Sequence, residues 1–504
     1  MLLPGLGDVA IPSRAAHANP HADSDGGGHQ HAGHFHPNRD RIPHLWAKPH
    51  PWHFDCHPDV YAHRNTNPHR HSHRYPHNNG DSLPAADVYI YTLSHAGSSH
   101  EHPIVHAHST VANIDDYQHS AKLHIYPNPN RNTNPNGHSN PLTLPDMPEI
   151  TPFLKSLLSA AGISSYETPA TKLVDEKWRP LVDEARLSRL GSLEALKKGT
   201  STALSTSRPS IMIATHVDAI GMMVTSIAEG FLHFTQVGGI DPRILPGTPV
   251  IVHASASGEE LPGIVVMPPA RALPDSVRDG VIGLEHLLID MGLLPKEVAA
   301  KVRIGDPVSF ATEPKELAGD VISGHTLDNR ASVAVLTVTL EELQKKSHAW
   351  DVWAVATVQE EVGLLGAFTS AFGLRPQVAI AIDVTFAKGP GANDWQTMPL
   401  GKGPTLTMGP NMHPYLYKSL KELAEKLEIP FQPEVTPRMS GTDAYATQIT
   451  AEGIPTMVIG IPLRYMHTPV EIVSLKDIQR AGRLLAEFIS SLEPDFVEKI
   501  VWED

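Results

Sequence analysis

The sequence has one cysteine, Cys56, in 504 residues. That excludes a disulfide within the chain and any metal cluster built on several thiolates. Long apolar runs are also missing: none approaches the roughly 18–20 residues that span a bilayer. The amino terminus, Met1-Leu2-Leu3-Pro4-Gly5, has no basic segment and no sustained apolar stretch, so no secretory signal is expected. Positive charge is in deficit, with 40 Lys and Arg against 55 Asp and Glu and a net charge of -15. This speaks against nucleic acid or an anionic membrane as a main partner. These absences together fit a cytoplasmic protein. The length leaves room for two or three domains.

What is present divides unevenly. Residues 1–146 hold 23 of the 31 histidines, with dense Pro and Asn and few aliphatic residues. A short phrase, Arg64-Asn65-Thr66-Asn67-Pro68, returns at Arg131 to Pro135. Such composition cannot bury enough apolar surface to offset chain entropy, so a disordered extension is expected. Its histidines could bind metal loosely, which leaves a metal-storage role open. No methionine falls between Met1 and Met147, where ordinary globular sequence begins. The expectation is that Met147 lies near the true start.

From Thr151 the pattern is globular. Thr151-Pro152 predicts a helix with Thr as cap, closed by Gly162. Ile211 to Thr215 predicts a buried parallel strand ending at His216-Val217-Asp218. From Met222 to about Ile322, turn signals alternate with short β-branched runs, which predicts a small all-β barrel or sandwich inserted into the larger domain. Within it, Glu285–Leu294 reads as helix or loop. The α/β pattern then resumes. Asp328 precedes an apolar helix, strands follow at 352–358, 378–382 and 456–461, and a helix runs from Pro414 to Leu427. The last helix opens at Ser474, with Asp477 three residues on as in a capping box.

The chemistry lies where polar residues meet strand ends. Val352 to Val358 runs straight into Glu360-Glu361-Val362-Gly363. Buried strands rarely end in adjacent acids unless something compensates the charge. The other predicted strands end at His216 and Asp218, at Asp383, and just before His467, while Asp328 stands at a helix start. Ligands of open α/β sheets bind outside the carboxyl ends of the strands. Two histidines and three or four carboxylates without thiolate suit two divalent ions such as Zn²⁺, Co²⁺ or Mn²⁺, with one carboxylate shared. A carboxylate left unligated can move a proton.

Several motifs then carry a specific resemblance. Thr215-His216-Val217-Asp218-Ala219-Ile220-Gly221, Thr326-Leu327-Asp328-Asn329-Arg330, Gln359-Glu360-Glu361-Val362-Gly363, Asp383-Val384 and Arg464-Tyr465-Met466-His467-Thr468-Pro469 follow one another as in metallopeptidase family forty-two. That family comprises the tetrahedral (TET) aminopeptidases, with glutamyl and deblocking aminopeptidases among them. Gly238-Gly239-Ile240-Asp241 and Ser440-Gly441-Thr442-Asp443-Ala444 match as well. The chain resembles the family over about residues 148–495.

The resemblance implies a three-layer α/β/α exopeptidase-like domain in two parts, 147–221 and 322–504. A PDZ-like β domain at 222–321 would be inserted between them and drive dimerisation. It implies that Asp328 bridges two metals, with His216 and Asp383 on one ion and Glu361 and His467 on the other. Zn²⁺ or Co²⁺ is favoured over Mn²⁺. Glu360 would be the general base and Asp218 would orient the His216 ring. A cis peptide is implied at Asp328-Asn329. Peptides would be the substrates, and dimers would assemble into a dodecamer.

The chain departs from the family at Ala219, where a glutamate is usual, and at Ser165, where Ser164-Ser165-Tyr166-Glu167 usually has glycine. Neither is an expected ligand. His325 is expected at a pocket or surface, His413 in a loop near the substrate, and Arg464 and Asp443 either on substrate or fixing loops. Two other functions stay open: a deacylase or carboxypeptidase on the same scaffold, and a non-catalytic assembly scaffold.

Overall fold

The computed structural model describes residues 149–200, 208–277 and 280–502. The expectations for residues 1–146, and for a start near Met147, lie outside them. The fold is mixed α/β. Among the described residues its main sheet has eleven strands. Four of them are parallel neighbours in the order Asp351–Thr357, Ser210–His216, Val378–Phe386, Thr456–Arg464. All four are almost wholly apolar because both faces are covered. Alternate residues show this directly: Ile211 and Ile213 join the larger core, while Met212 and Ala214 join a smaller one with Ala371 and Ile454.

The helix Leu327–Glu342 lies at the centre of the larger core, with every residue from Leu327 to Leu340 buried. Sequence and burial agree here: a helix without a polar face must be enclosed. The amphipathic helix Leu475–Ser491 packs across it. The peptide bond Asp328-Asn329 is cis, as the motif implies.

A closed six-stranded barrel follows the His216 strand. Its strands are Gly221–Ala228, Phe231–Val237, Leu288–Asp290, Glu259–Val266, Pro249–Ala254 and Pro307–Phe310, in that order around the barrel. Met222, Val224, Leu232, Val250, Val265, Ile289 and Val308 fill it. The stretch expected as helix or loop supplies the strand Leu288–Asp290, and a short helix, Pro295–Lys301, comes after it.

Other boundaries differ for local reasons. Thr151 is the first helical residue rather than the cap. Its N–H is met by Glu149 Oε1 at 3.0 Å, and the helix ends at Ser159, before Gly162. Asp477 forms no capping box with Ser474, and instead accepts the N–H groups of Gly401 and Gly403 at 2.6 and 2.7 Å. The Val378 strand continues to Phe386, so Asp383 lies inside it rather than beyond its end. Among the described residues, no helix is long and apolar enough to cross a membrane.

Candidate metal centre

Parallel strands carry their carboxyl ends to one edge, and that edge gathers the expected residues. His216 closes its strand, and Asp218 follows two residues later. Glu360 and Glu361 lie just past Thr357, and His467 lies three residues past Arg464. Asp328 comes in from the opening turn of its helix. The chain bends sharply around these positions. Thr326, Gln359, Tyr465 and His467 all have left-handed backbone, with φ of 67°, 59°, 60° and 61°. That conformation is costly for residues with a Cβ and is held only where the surroundings impose it.

The Asp328 carboxylate divides between two imidazoles. Oδ1 is 3.3 Å from His216 Nε2, and Oδ2 is 3.2 Å from His467 Nε2. Asp383 Oδ1 and Glu360 Oε2 lie 3.7 and 3.8 Å from His216 Nε2, and Glu361 Oε2 lies 3.4 Å from His467 Nε2. Three donor groups result: His216-Asp328-Asp383, Asp328-Glu361-His467 and His216-Glu360-Glu361. In each, the donor atoms lie within 4.8 Å of one another. All seven residues expected at the site are therefore in one place, with Asp218 behind the others. His216 Nδ1 faces the Asp218 carbonyl at 3.1 Å, and the Asp218 carboxylate accepts the Ser164 hydroxyl and the N–H groups of Glu360 and Glu361.

The electrostatics are lopsided. Burial opposes charge on His216, but Glu360, Asp218, Asp328 and Asp383 outweigh it and hold its pKa well above the ordinary value. His467 is likewise raised against its burial, to about 10, chiefly by Asp328 and Glu361. Burial pushes Glu361 up to about 8, with the Asp328 charge adding to it, and raises Glu360 and Asp383 as well. Asp328 moves the other way: despite burial, the two imidazoles hold it well below the usual carboxylate range. Too many acids thus share too little positive charge, and Glu361 Oε1 is buried with no hydrogen-bond partner. Hard oxygen donors with two imidazoles and missing cationic charge are what divalent ions satisfy. The residues present fit such ions.

Several neighbours carry no role in the sequence reading. Glu471, buried, accepts N–H from Asp328 and from His467. Asn329 donates to the carbonyl of Ile382, beside Asp383. Arg330, fully buried, donates to the carbonyl of Val217, beside His216. Glu167 Oε1 accepts from Ser165 and Gln359, so the Ser164–Glu167 segment braces the tandem acids from behind. The available signal was Glu471 itself, a lone acid opening the apolar run Ile472-Val473.

Other candidates fall elsewhere. His325 is buried against Phe310 with Nδ1 3.0 Å from the Thr312 carbonyl, not at the surface. His413 caps the helix Pro414–Lys426, and its ring meets Trp502 edge-on. Arg464 donates to the Lys388 carbonyl. Asp443, by contrast, stands beside the site: it is buried at the start of the helix Asp443–Gln448, its charge helps to raise Glu360, and it accepts the hydroxyl of Thr357, the last residue of its strand, at 2.5 Å.

Comparison with known proteins agrees with this geometry. A family model described as M42 glutamyl aminopeptidase matches residues 191–484. The lysyl aminopeptidase of Pyrococcus furiosus is 34% identical over 346 residues, covering 68% of this chain and 97% of that protein. The structure is similar to the TET aminopeptidase of Thaumarchaeota archaeon SCGC AB-539-E09, with TM-score 0.65 and 32% identity over 70% of this chain and 99% of that one. It is also similar to the TET1 peptidase of Pyrococcus horikoshii, which can assemble into a tetrahedron or a large octahedral shell. There the TM-score is 0.59 and the identity 30%, over 68% of this chain and 100% of that one.

Proposed function

This chain belongs to the M42 glutamyl aminopeptidase family and is a peptidase, and from that premise we propose that it removes N-terminal residues from peptides at two divalent ions. The observation that carries the reading is the Asp328 carboxylate with one oxygen toward each histidine. In this reading His216 and Asp383 would hold one ion and Glu361 and His467 the other, with Asp328 contributing to both. Such ions, Zn²⁺ or Co²⁺ before Mn²⁺, would supply Lewis-acid polarisation of the scissile carbonyl and of the attacking water.

The chain's own residues do the rest. Glu360 is left off both ions, takes the water's proton at Oε2 and returns it to the leaving amine. Asp218 fixes the backbone from which Glu360 projects. Arg330, the buried guanidinium nearby, is engaged with backbone carbonyls and does not serve a carboxylate substrate. This favours an aminopeptidase over a carboxypeptidase. The barrel serves as the PDZ-like dimerisation domain, inserted at 222–321 between the two parts of an α/β/α catalytic domain, and dimers build a dodecamer. Matched peptides with free and acetylated N-termini, assayed with defined metals, test the proposal. Cleavage confined to free N-termini supports it, and preference for the blocked peptide turns the reading to a deacylase.

A further inference from the structure

Glu471 opens the short strand Glu471–Ser474 and is 2% exposed. The proposed chemistry gives it no task. Its two oxygens are nonetheless both committed: Oε2 accepts the N–H of Asp328 at 3.0 Å, and Oε1 accepts the N–H of His467 at 2.9 Å. The side chains of those same two residues face each other at 3.2 Å. One carboxylate therefore ties the turn before a helix to the loop after a strand, where both deliver a donor to one group.

The other donor group is tied differently. Asn329 Nδ2 donates to the Ile382 carbonyl at 2.9 Å, and Arg330 Nε to the Val217 carbonyl at 3.3 Å. These bonds hold the backbones next to Asp383 and His216. Asp328 is thus anchored toward one group by its own successors in the chain, and toward the other by Glu471.

We propose that Glu471 is the positioning residue of one ion site: it sets Asp328 against His467, and with them the affinity for the ion taken by Asp328, Glu361 and His467. The ion between His216, Asp328 and Asp383 depends instead on Asn329 and Arg330. The proposal rests on the two-ion reading above. A carboxylate suits the task because both of its oxygens only accept. Glutamine of the same shape offers one acceptor and leaves the other N–H facing an amide donor. Loss of such an outer partner lowers metal affinity by about 10–100-fold.

The test is a Co²⁺ titration of the metal-stripped full-length chain, read by visible d–d absorption and by bound cobalt. A His216→Ala/His467→Ala blank removes the contribution of the histidine-rich residues 1–146. The wild type is expected to take up two ions above the blank. Glu471→Gln should bind the first as the wild type does and the second about 10–100-fold more weakly. Glu471→Asp keeps both acceptors on a side chain one methylene shorter, and should weaken the same step should the glutamine variant fail to fold. Asp477→Asn is the comparison, because Asp477 also accepts two backbone N–H groups, at Gly401 and Gly403, away from the donor loops. It should keep both steps. Wild-type affinity for both ions in the folded Glu471 variants overturns the proposal, and so does equal weakening by Asp477→Asn. Fewer than two ions on the wild type overturns the two-ion reading and this proposal together, and shows before any variant is measured.

Discussion

Asp218 accepts the backbone N–H of Glu360 at 3.0 Å, and through its other oxygen the N–H of Glu361 at 3.2 Å. One buried carboxylate thereby sets the direction of two adjacent acids that are given different tasks. Glu360→Gln should keep that backbone and both ions but lose the proton acceptor. Turnover is expected to fall by about 10²–10⁴-fold, the usual weight of a general base. Metal content measured on the same sample separates the roles. Loss of an ion in this variant would mean that Glu360 is a ligand after all.

Asp218→Asn tests the support rather than the base. The amide keeps one acceptor for two backbone donors and for the Ser164 hydroxyl. Expected is a drop in kcat of about 10–100-fold, the range for an outer partner of a metal site. KM should change little, because Asp218 lies behind the donors. A variant with full kcat would show that the tandem acids are held by the Gln359 turn alone.

Removal of metal should cost both activity and stability. Without cations, Asp328, Glu360, Glu361 and Asp383 face one another in a buried cluster. An ion present at a thousand times its Kd stabilises the folded state by about 4 kcal/mol. Chelation is therefore expected to abolish hydrolysis and lower the Tm, and added Co²⁺ or Zn²⁺ to restore both. Undiminished activity in the metal-free protein would sink the mechanism.

How legible this centre was depended on whether a residue's partners left a local trace. His216, Asp218, Glu360 and Glu361 were readable because apolar runs ended in them, and a parallel sheet puts such ends together. Asp383 was found but misplaced, since nothing in Val378–Phe386 marks where its neighbours stop. Glu471, Asn329 and Arg330 were missed. Each bonds a backbone group 143, 53 or 113 residues away, and the one local bond, from His467 to Glu471 four residues on, leaves no periodic pattern. The helix Leu365–Leu374 was missed for another reason. Its sequence, Leu-Gly-Ala-Phe-Thr-Ser-Ala-Phe-Gly-Leu, has no charged face to mark a helical period.

His325 makes stability depend on pH. Burial, with the Arg330 charge nearby, holds its pKa down at about 4 against an ordinary 6.5. The unfolded chain therefore binds a proton that the native fold refuses. The stability tied to this group is complete above pH 6.5 and is lost as pH falls toward 4, by about 3 kcal/mol in all. His325→Asn keeps a donor near the Thr312 carbonyl and cannot charge. Urea denaturation at pH 7 and pH 4.5 should show a smaller loss in the variant than in the wild type. Parallel losses would mean that other groups carry the acid sensitivity.

Gly482 sets two opposing effects against each other. It lies in the helix Leu475–Ser491, where alanine normally stabilises by about 1 kcal/mol. Here a Cβ would stand 2.6 Å from Val338 Cγ1 and 2.9 Å from the Val335 carbonyl oxygen, and Thr339 Oγ1 already donates to the Gly482 carbonyl at 3.2 Å. The two helices touch backbone to backbone, so the added methyl meets an atom that cannot turn aside. Overpacking of this kind costs about 1–3 kcal/mol, which should exceed the gain in helix propensity. Gly482→Ala is thus expected to lower the urea midpoint. Val338 lies ten residues along the helix from Asp328, a rise of about 15 Å, so kcat per folded molecule should stay unchanged. A more stable Gly482→Ala variant would show that the helices can separate at no cost.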